Sequence, residues 1–444
     1  MVGRIVSALP NWREGLSVGT ATDQPGTSLP PILLTRAGFG GTLGAARCLG
    51  RRGVPVQLAG AHLLDPARWS RWARTVAAPA DPEALVTWLL EEAPPGLVVY
   101  GSCDDLAWVL SREREALSRR HHLYSPPLAA LEAVLDKRRL HALAGEVGLR
   151  TPATWYPADE AEALRLAPGL PYPVLLKPRT QVLSLTRSKG LRVNGPEELG
   201  TAWRAACAQF RFAPSLLSHL PEAAVPMIQA YHRDRADRIL TISGFVDETQ
   251  RHFVARASRK ILQSPRGLGV GIGFDSRPLD PALAAAVQRL CAAAGFYGVF
   301  DIELLGDVEP LLIDFNPRLY NQVSFEVARG LPSPWLVYLG ATGRREELAV
   351  EVARARAVPE QPGAIYCNRF TARFELAWQV LTGAVPLAEE RRWRSWYGRH
   401  RGEATDPYVE LGDPGPQLAQ GLSEIAGMLR HPRAFLRKRI LGKD

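Results

Sequence analysis

Residues 298–318 read GVFDIELLGDVEPLLIDFNPR, and no other stretch restricts the fold as tightly. Two apolar runs flank a polar turn at Gly306-Asp307, a pattern that predicts an antiparallel hairpin. Side chains alternate between the two faces of a strand. Asp301 and Glu303 then share one side of the first strand, opposite Ile302 and Leu304. In the second strand Leu312, Asp314 and Asn316 share a face, opposite Ile313 and Phe315. The apolar run stops at Asp314, and Asn316, Pro317 and Arg318 follow at once. Oxygen donors crowded at the end of so apolar a segment need a cation between them. Carboxylates with an amide suit Mg²⁺, which completes its shell with waters and phosphate oxygens. The predicted metal set is Glu303, Asp314 and Asn316; a polar sheet face turned to solvent is the alternative.

Composition limits what surrounds this hairpin. With 444 residues the chain is too long for one core, so several domains are expected. No apolar run reaches the roughly 18 residues that span a bilayer. The first 30 residues lack the apolar core of a signal peptide and read as a tail. Five dispersed cysteines without a CxxC pair argue against a zinc site and suit a reducing cytoplasm, the expected location. The net charge is +9, but its 54 lysines and arginines are spread along the chain. No aromatic–basic motif of a known module accompanies them, so nucleic acid is not an expected partner. The densest basic stretch is the end, LRHPRAFLRKRILGKD. It reads as a solvated helix or as a contact for an anionic surface or a protein partner.

The segments before the hairpin fall into two groups. Ile32 to Thr35, Val54 to Leu58 and residues 97–100 predict strands, with helices from about Leu43 to Arg52 and from about Asp104 to Arg119. That order is a parallel α/β unit. The turn Gly38, Gly40, Gly41 and Gly44 is GxGGxxG, and no acid ends the second strand to hold a ribose, which weakens a nicotinamide reading. These glycines let a helix start tightly, or place an anion at its N-terminus. Next, a helix capped by Asp136 carries Lys137 in its first turn, where the dipole disfavours a cation. Lys177 emerges at the end of the strand Val174 to Leu176, and a polar loop leads from it to Gly190. Met227 to Tyr231, Ile239 to Val246 and residues 252–262 predict further strands, the last carrying Arg256, Arg259 and Lys260. A glycine-rich stretch at 264–274 and a helix at about 280–295 complete the group. Residues 369–383 and 416–440 look helical. ERRWRSWYGRHRGE, between them, reads as a closure over the site, a partner surface or a structural appendage.

In order and spacing, Lys137, Lys177, Glu303 and the run Asp314-x-Asn316-Pro317-Arg318 resemble the ATP-grasp superfamily, of the carbamoyl-phosphate-synthase-like carboxylate–amine ligase type. The likeness spans about residues 31–335. It implies an α/β and α+β architecture: a tail at 1–30, a pre-ATP-grasp parallel α/β domain at 31–130, an ATP-grasp domain at 131–340 with two subdomains around the ATP cleft, and a mostly helical extension at 341–444. It implies ATP and Mg²⁺, with Mn²⁺ as a substitute. Lys137 and Lys177 would contact the phosphates, with Ser188 of the loop among the nucleotide contacts. Gln229, Ala230 and Tyr231 would meet the adenine and ribose. Glu303, Asp314 and Asn316 would hold the metal. Arg318 would bind the acyl phosphate or γ-phosphate, and Arg256 and Lys260 would clamp a carboxylate or the γ-phosphate. The implied reaction activates a small carboxylate as an acyl phosphate and joins it to an amine. A dimer is compatible with this, but the oligomeric state stays open.

This chain departs from the pattern in three places. LYNQVSFE follows Arg318 where biotin carboxylases carry a QVEH-type run, which argues against bicarbonate as substrate. The loop after Lys177 has one glycine, so basic side chains take over from backbone amides above the phosphates. Asp314 stands where glutamate is commoner. A nucleotide-binding regulatory protein without catalysis and a nicotinamide-dependent oxidoreductase remain as alternatives.

Overall fold

The computed structural model describes residues 29–186, 188–232, 238–264, 270–381, 387–400 and 404–430. The tail to residue 28, the middle of the glycine-rich stretch and the basic end beyond residue 430 lie outside the described residues.

The first sheet is parallel, as the βαβ pattern requires. Its strands are β1 (Ile32–Leu34), β2 (Val56–Leu58), β3 (Ala73–Thr75), β4 (Val98–Val99) and β5 (His122–Leu123), in the order β3-β2-β1-β4-β5. All three residues of β1 are buried, the signature of a sheet covered on both faces. The first helix runs Gly40–Gly50, three residues ahead of the predicted start. Its glycines explain the shift. A Cβ on Gly41 would stand 2.1 Å from the Tyr320 carbonyl oxygen, and one on Gly44 would stand 3.0 Å from the Ser324 amide. The helix therefore lies against the segment that follows Arg318, too close at Gly41 for any side chain and in a tight fit at Gly44. The predicted helix at 104–119 breaks at Glu113 into Asp104–Arg112 and Arg114–Ser118.

A small antiparallel sheet follows, made of β6 (Thr154–Trp155), β7 (Val174–Lys177), β8 (Leu191–Val193) and β9 (Met227–Ala230), in the order β6-β9-β7-β8. The third sheet holds β10 (Ile239–Val246), β11 (Phe253–Ser264), β12 (Val270–Arg277), β13 (Gly298–Leu305), β14 (Leu311–Asn316), β15 (Ile365–Cys367) and β16 (Ala404–Thr405). Their order is β14-β13-β10-β11-β12-β15-β16. The C-terminal segment is mostly helical, with helices at Arg369–Leu381, Leu387–His400 and Gly415–Arg430. It also lends β15 and β16 to this sheet, so the sheet runs across residue 340. Among the described residues no helix is long and apolar enough to cross a membrane.

The hairpin β13–β14 forms where expected, but its alternation needs one correction. Asp301 pairs with Asn316 and Glu303 with Asp314, whereas Leu304 pairs with Leu312. Ile313 is the extra residue of a β-bulge, which reverses the facing of everything before it on β14. Leu312 consequently turns into the core with Leu304 and Phe315, and Ile313 joins Asp314 and Asn316 on the other side.

Candidate active site

The small and large sheets enclose a cleft of about 320 Å³. Lys137, Lys177, Lys260, Glu303, Asp314 and Arg318 all line it. Each arrives from a different local cause. The Asp136 carboxylate accepts from the Arg139 amide at 3.0 Å and caps the helix Lys137–Glu146, which sets Lys137 at its first position. The unfavourable dipole there is offset by an ion pair between Lys137 Nζ and Asp314 Oδ1. Burial alone would raise the Asp314 carboxyl, but Lys137, Lys177 and Arg318 outweigh it and hold it down at about 2.

Lys177 leaves the end of β7 and donates to Gln229 Oε1 at 3.2 Å. Burial, and then the neighbouring charge of Lys137, pull its ammonium down to about 8. Lys260 on β11 pairs with Glu303 Oε1 at 2.6 Å. Arg318 donates from Nε to Asp104 Oδ1 at 3.0 Å and from an η nitrogen to Asn316 Oδ1 at 2.8 Å. The Asn316 amide nitrogen donates in turn to the Asp301 carbonyl at 3.1 Å. This gathers Lys137, Lys177, Lys260, Glu303, Asp314, Asn316 and Arg318 into one cleft.

Arg256 is a correction. Its η nitrogen donates to the Ala355 carbonyl at 2.6 Å and to the Val358 carbonyl at 3.3 Å, and its Nε donates to the Arg329 carbonyl at 3.5 Å. It shares strand parity with Lys260, but the helix Arg345–Ala357 covers that part of the sheet, so Arg256 is buried as a carbonyl cap outside the cleft. Ser188 is buried in the loop, and its amide donates to Thr186 Oγ1 at 3.2 Å; Lys189 and Gly190 line the cleft instead. Gln229 and Ala230 lie on β9 and Tyr231 just beyond it, beside Lys177 but outside the cleft lining. The Gln229 amide donates to Thr154 Oγ1 at 3.2 Å, and the Arg192 guanidinium stands 5.2 Å over the Tyr231 ring.

Two further residues belong to the site. Asp301 is buried, accepts from Ser243 Oγ at 2.7 Å and from Gln322 Nε2 at 2.9 Å, and is pushed up to about 7 by burial and by Glu303. The alternation that put it beside Glu303 was the available signal. Asp104, the partner of Arg318, starts the helix Asp104–Arg112 in the parallel sheet's unit and leaves no local signal.

Among the described residues no group of three histidine, cysteine or acidic side chains is close enough to hold a metal by itself. The donors do fit a hard cation that brings phosphate oxygens with it. Glu303 and Asp314 face each other across paired strands, and each is held by a lysine, so the pair already draws positive charge.

No protein-family model matches the chain. It is 26% identical over 257 residues to the carbamoyl phosphate synthase large chain of Thermotoga neapolitana, which covers 57% of this chain and 22% of that protein. The chain thus spans about a fifth of the length of that relative. It is 28% identical over 402 residues to the formate-dependent phosphoribosylglycinamide formyltransferase of Synechococcus sp. RCC307, covering 82% of this chain and 95% of that one. Among solved structures it is similar to the biotin carboxylase domain of the Hydrogenobacter thermophilus 2-oxoglutarate carboxylase, solved with MgADP and bicarbonate, with a TM-score of 0.56, 15% identity and coverage of 72% and 70%. An L-amino acid ligase from Bacillus licheniformis gives a TM-score of 0.51 at 16% identity and covers 77% and 79%. The chain has the ATP-grasp fold.

Proposed function

We propose that the chain is an ATP- and Mg²⁺-dependent ligase that activates a small carboxylate and joins it to an amine. The observation that carries this is the Glu303–Asp314 pair, opposed across β13 and β14, in a cleft that also holds Lys137, Lys177, Lys260 and Arg318. In this reading a substrate carboxylate oxygen attacks the γ-phosphorus, the bond to ADP breaks, and an acyl phosphate forms. The amine nitrogen then attacks the acyl carbon, phosphate leaves with the bonding electrons, and the proton lost by the nitrogen ends on the phosphate.

The chain's part in this is positioning and charge. Lys137 and Lys177 attract the nucleotide phosphates, Lys260 and Arg318 the transferred phosphoryl group. Gln229 to Tyr231 lie next to Lys177, where a base and ribose extending from those phosphates would fall. Bound Mg²⁺ supplies charge neutralisation, and Glu303, Asp314 and Asn316 are the residues to hold it. Asp301 and Gln322 lie where the segment after Arg318 borders the cleft, and we assign them to the substrate side. That segment supports a carboxylate other than bicarbonate. Five unpaired cysteines support a reducing cytoplasm as the location.

Release of ADP and phosphate, screened over pairs of carboxylates and amines, tests the reading. Asp314→Asn and Glu303→Gln are expected to lower the turnover at least about a hundredfold while circular dichroism still shows a folded chain. Retained turnover in both variants sinks the assignment.

A further inference from the structure

The helix Asp104–Arg112 belongs to the parallel sheet's unit, outside the two sheets that enclose the cleft. Its first two residues nevertheless reach both walls of that cleft. Asp104 Oδ1 accepts from Arg318 Nε at 3.0 Å. Asp105 Oδ1 accepts from the Leu183 backbone amide at 2.6 Å.

Leu183 is the middle of the loop between β7 and β8. The two ends of that loop, Thr180 and Gln181 on one side and Lys189 and Gly190 on the other, line the cleft. Leu183 has a φ of +47°, a left-handed backbone that leucine rarely adopts, so something must hold it there. The loop has other anchors. The Lys137 amide donates to the Arg179 carbonyl at 2.9 Å, and the Leu185 amide donates to the Arg211 carbonyl at 2.7 Å. The bond at Leu183 comes from the parallel sheet's unit, and it is charge-assisted. Burial raises the Asp105 carboxyl, and the Leu183 amide works against that by favouring the carboxylate.

We propose that Asp104 and Asp105 are positioning residues of the nucleotide site, Asp104 acting through Arg318 and Asp105 through Leu183. One helix end then sets both phosphate-facing walls from outside the cleft. This rests on the reading of the cleft as a nucleotide site.

Hydrogen exchange on the full chain without nucleotide tests the clip independently of that reading. In Asp105→Ala the amides of residues 179–186 are expected to exchange about tenfold faster, while those of the Lys137–Glu146 helix stay at the parental rate. Asp105→Asn keeps an oxygen acceptor and is expected to restore most of the protection. Calorimetry with MgADP is expected to show affinity about tenfold weaker in the alanine variant and near parental in the asparagine variant. For Asp104→Ala the expected result is a kcat about tenfold lower at an unchanged KM for ATP, with recovery in Asp104→Asn. Unchanged loop exchange in Asp105→Ala overturns the proposal, and so does equal loss in the alanine and asparagine variants. If the parental chain binds no MgADP, the nucleotide reading fails, and the positioning role falls with it even where exchange accelerates.

Discussion

Lys177 titrates in an accessible range because burial and Lys137 bring it to about 8. Phosphate favours the charged ammonium, so binding raises its pKa and takes up a proton as the pH passes about 8. Nucleotide affinity is therefore expected to hold near pH 7 and to fall by up to about tenfold per pH unit above 8. Lys177→Arg keeps its charge and is expected to flatten the curve. Calorimetry in two buffers of different ionisation enthalpy measures the uptake; none at pH 8 would count against a buried, phosphate-facing lysine. That Lys137, Lys177, Glu303, Asp314, Asn316 and Arg318 share one cleft was legible because Lys137 starts a helix, Lys177 and Asn316 end strands, Arg318 follows at once, and Glu303 pairs with Asp314 across the hairpin. Arg256 was misread because parity along β11 says which side a residue faces and nothing about what covers that side. Asp104 and Asp105 had no legible role, since their partners Arg318 and Leu183 lie far along the chain in segments beyond β14 and between β7 and β8.

At the scale of elements, the bulge at Ile313 and the glycine helix show what pattern misses. Strict alternation put Leu312 with Asp314, and a single inserted residue sent it to the core instead. GxGGxxG was legible as a tight helix start, but its packing partner, the Tyr320 carbonyl, was not. Gly41→Ala is expected to destabilise the chain by about 1–3 kcal/mol, because a backbone oxygen stands where the methyl group must go. Gly145→Ala is the control: nothing lies within 4 Å of its added Cβ, and alanine in a helix gains up to about 1 kcal/mol over glycine. Denaturant midpoints of the two variants should move in opposite directions. A Gly41→Ala chain as stable as the parent would show that the helix is free to shift.

Across the whole molecule, the C-terminal segment is tied back to the first helix by one buried guanidinium. Arg47 Nε meets Asp413 Oδ2 at 2.9 Å, and its η nitrogens donate to the Pro407 carbonyl at 2.8 Å and the Tyr408 carbonyl at 3.3 Å. Ser70 Oγ also donates to Asp413 Oδ2, at 2.7 Å. Arg47→Ala leaves Asp413 buried without its cation, and an expected loss of about 3–5 kcal/mol follows. Chemical denaturation measures it, and a loss below about 1 kcal/mol would show the tie to be idle. The helices Arg369–Leu381 and Gly415–Arg430 overlap segments that looked helical in sequence, whereas Leu387–His400 was not foreseen, and a contact from the first helix to the loop ahead of Gly415–Arg430 lies beyond any local pattern.

The contact between Gly41 and the Tyr320 carbonyl bears also on how such a chain can diverge. The segment after Arg318 borders the cleft, so a change in it would reshape the cleft. Its backbone cannot move toward the first helix while that helix stays where it is, and the helix cannot gain a side chain at Gly41 while the segment stays. Two stretches remote in sequence are therefore expected to drift as one character, and a graft of either alone from a relative would carry half of an inherited fit.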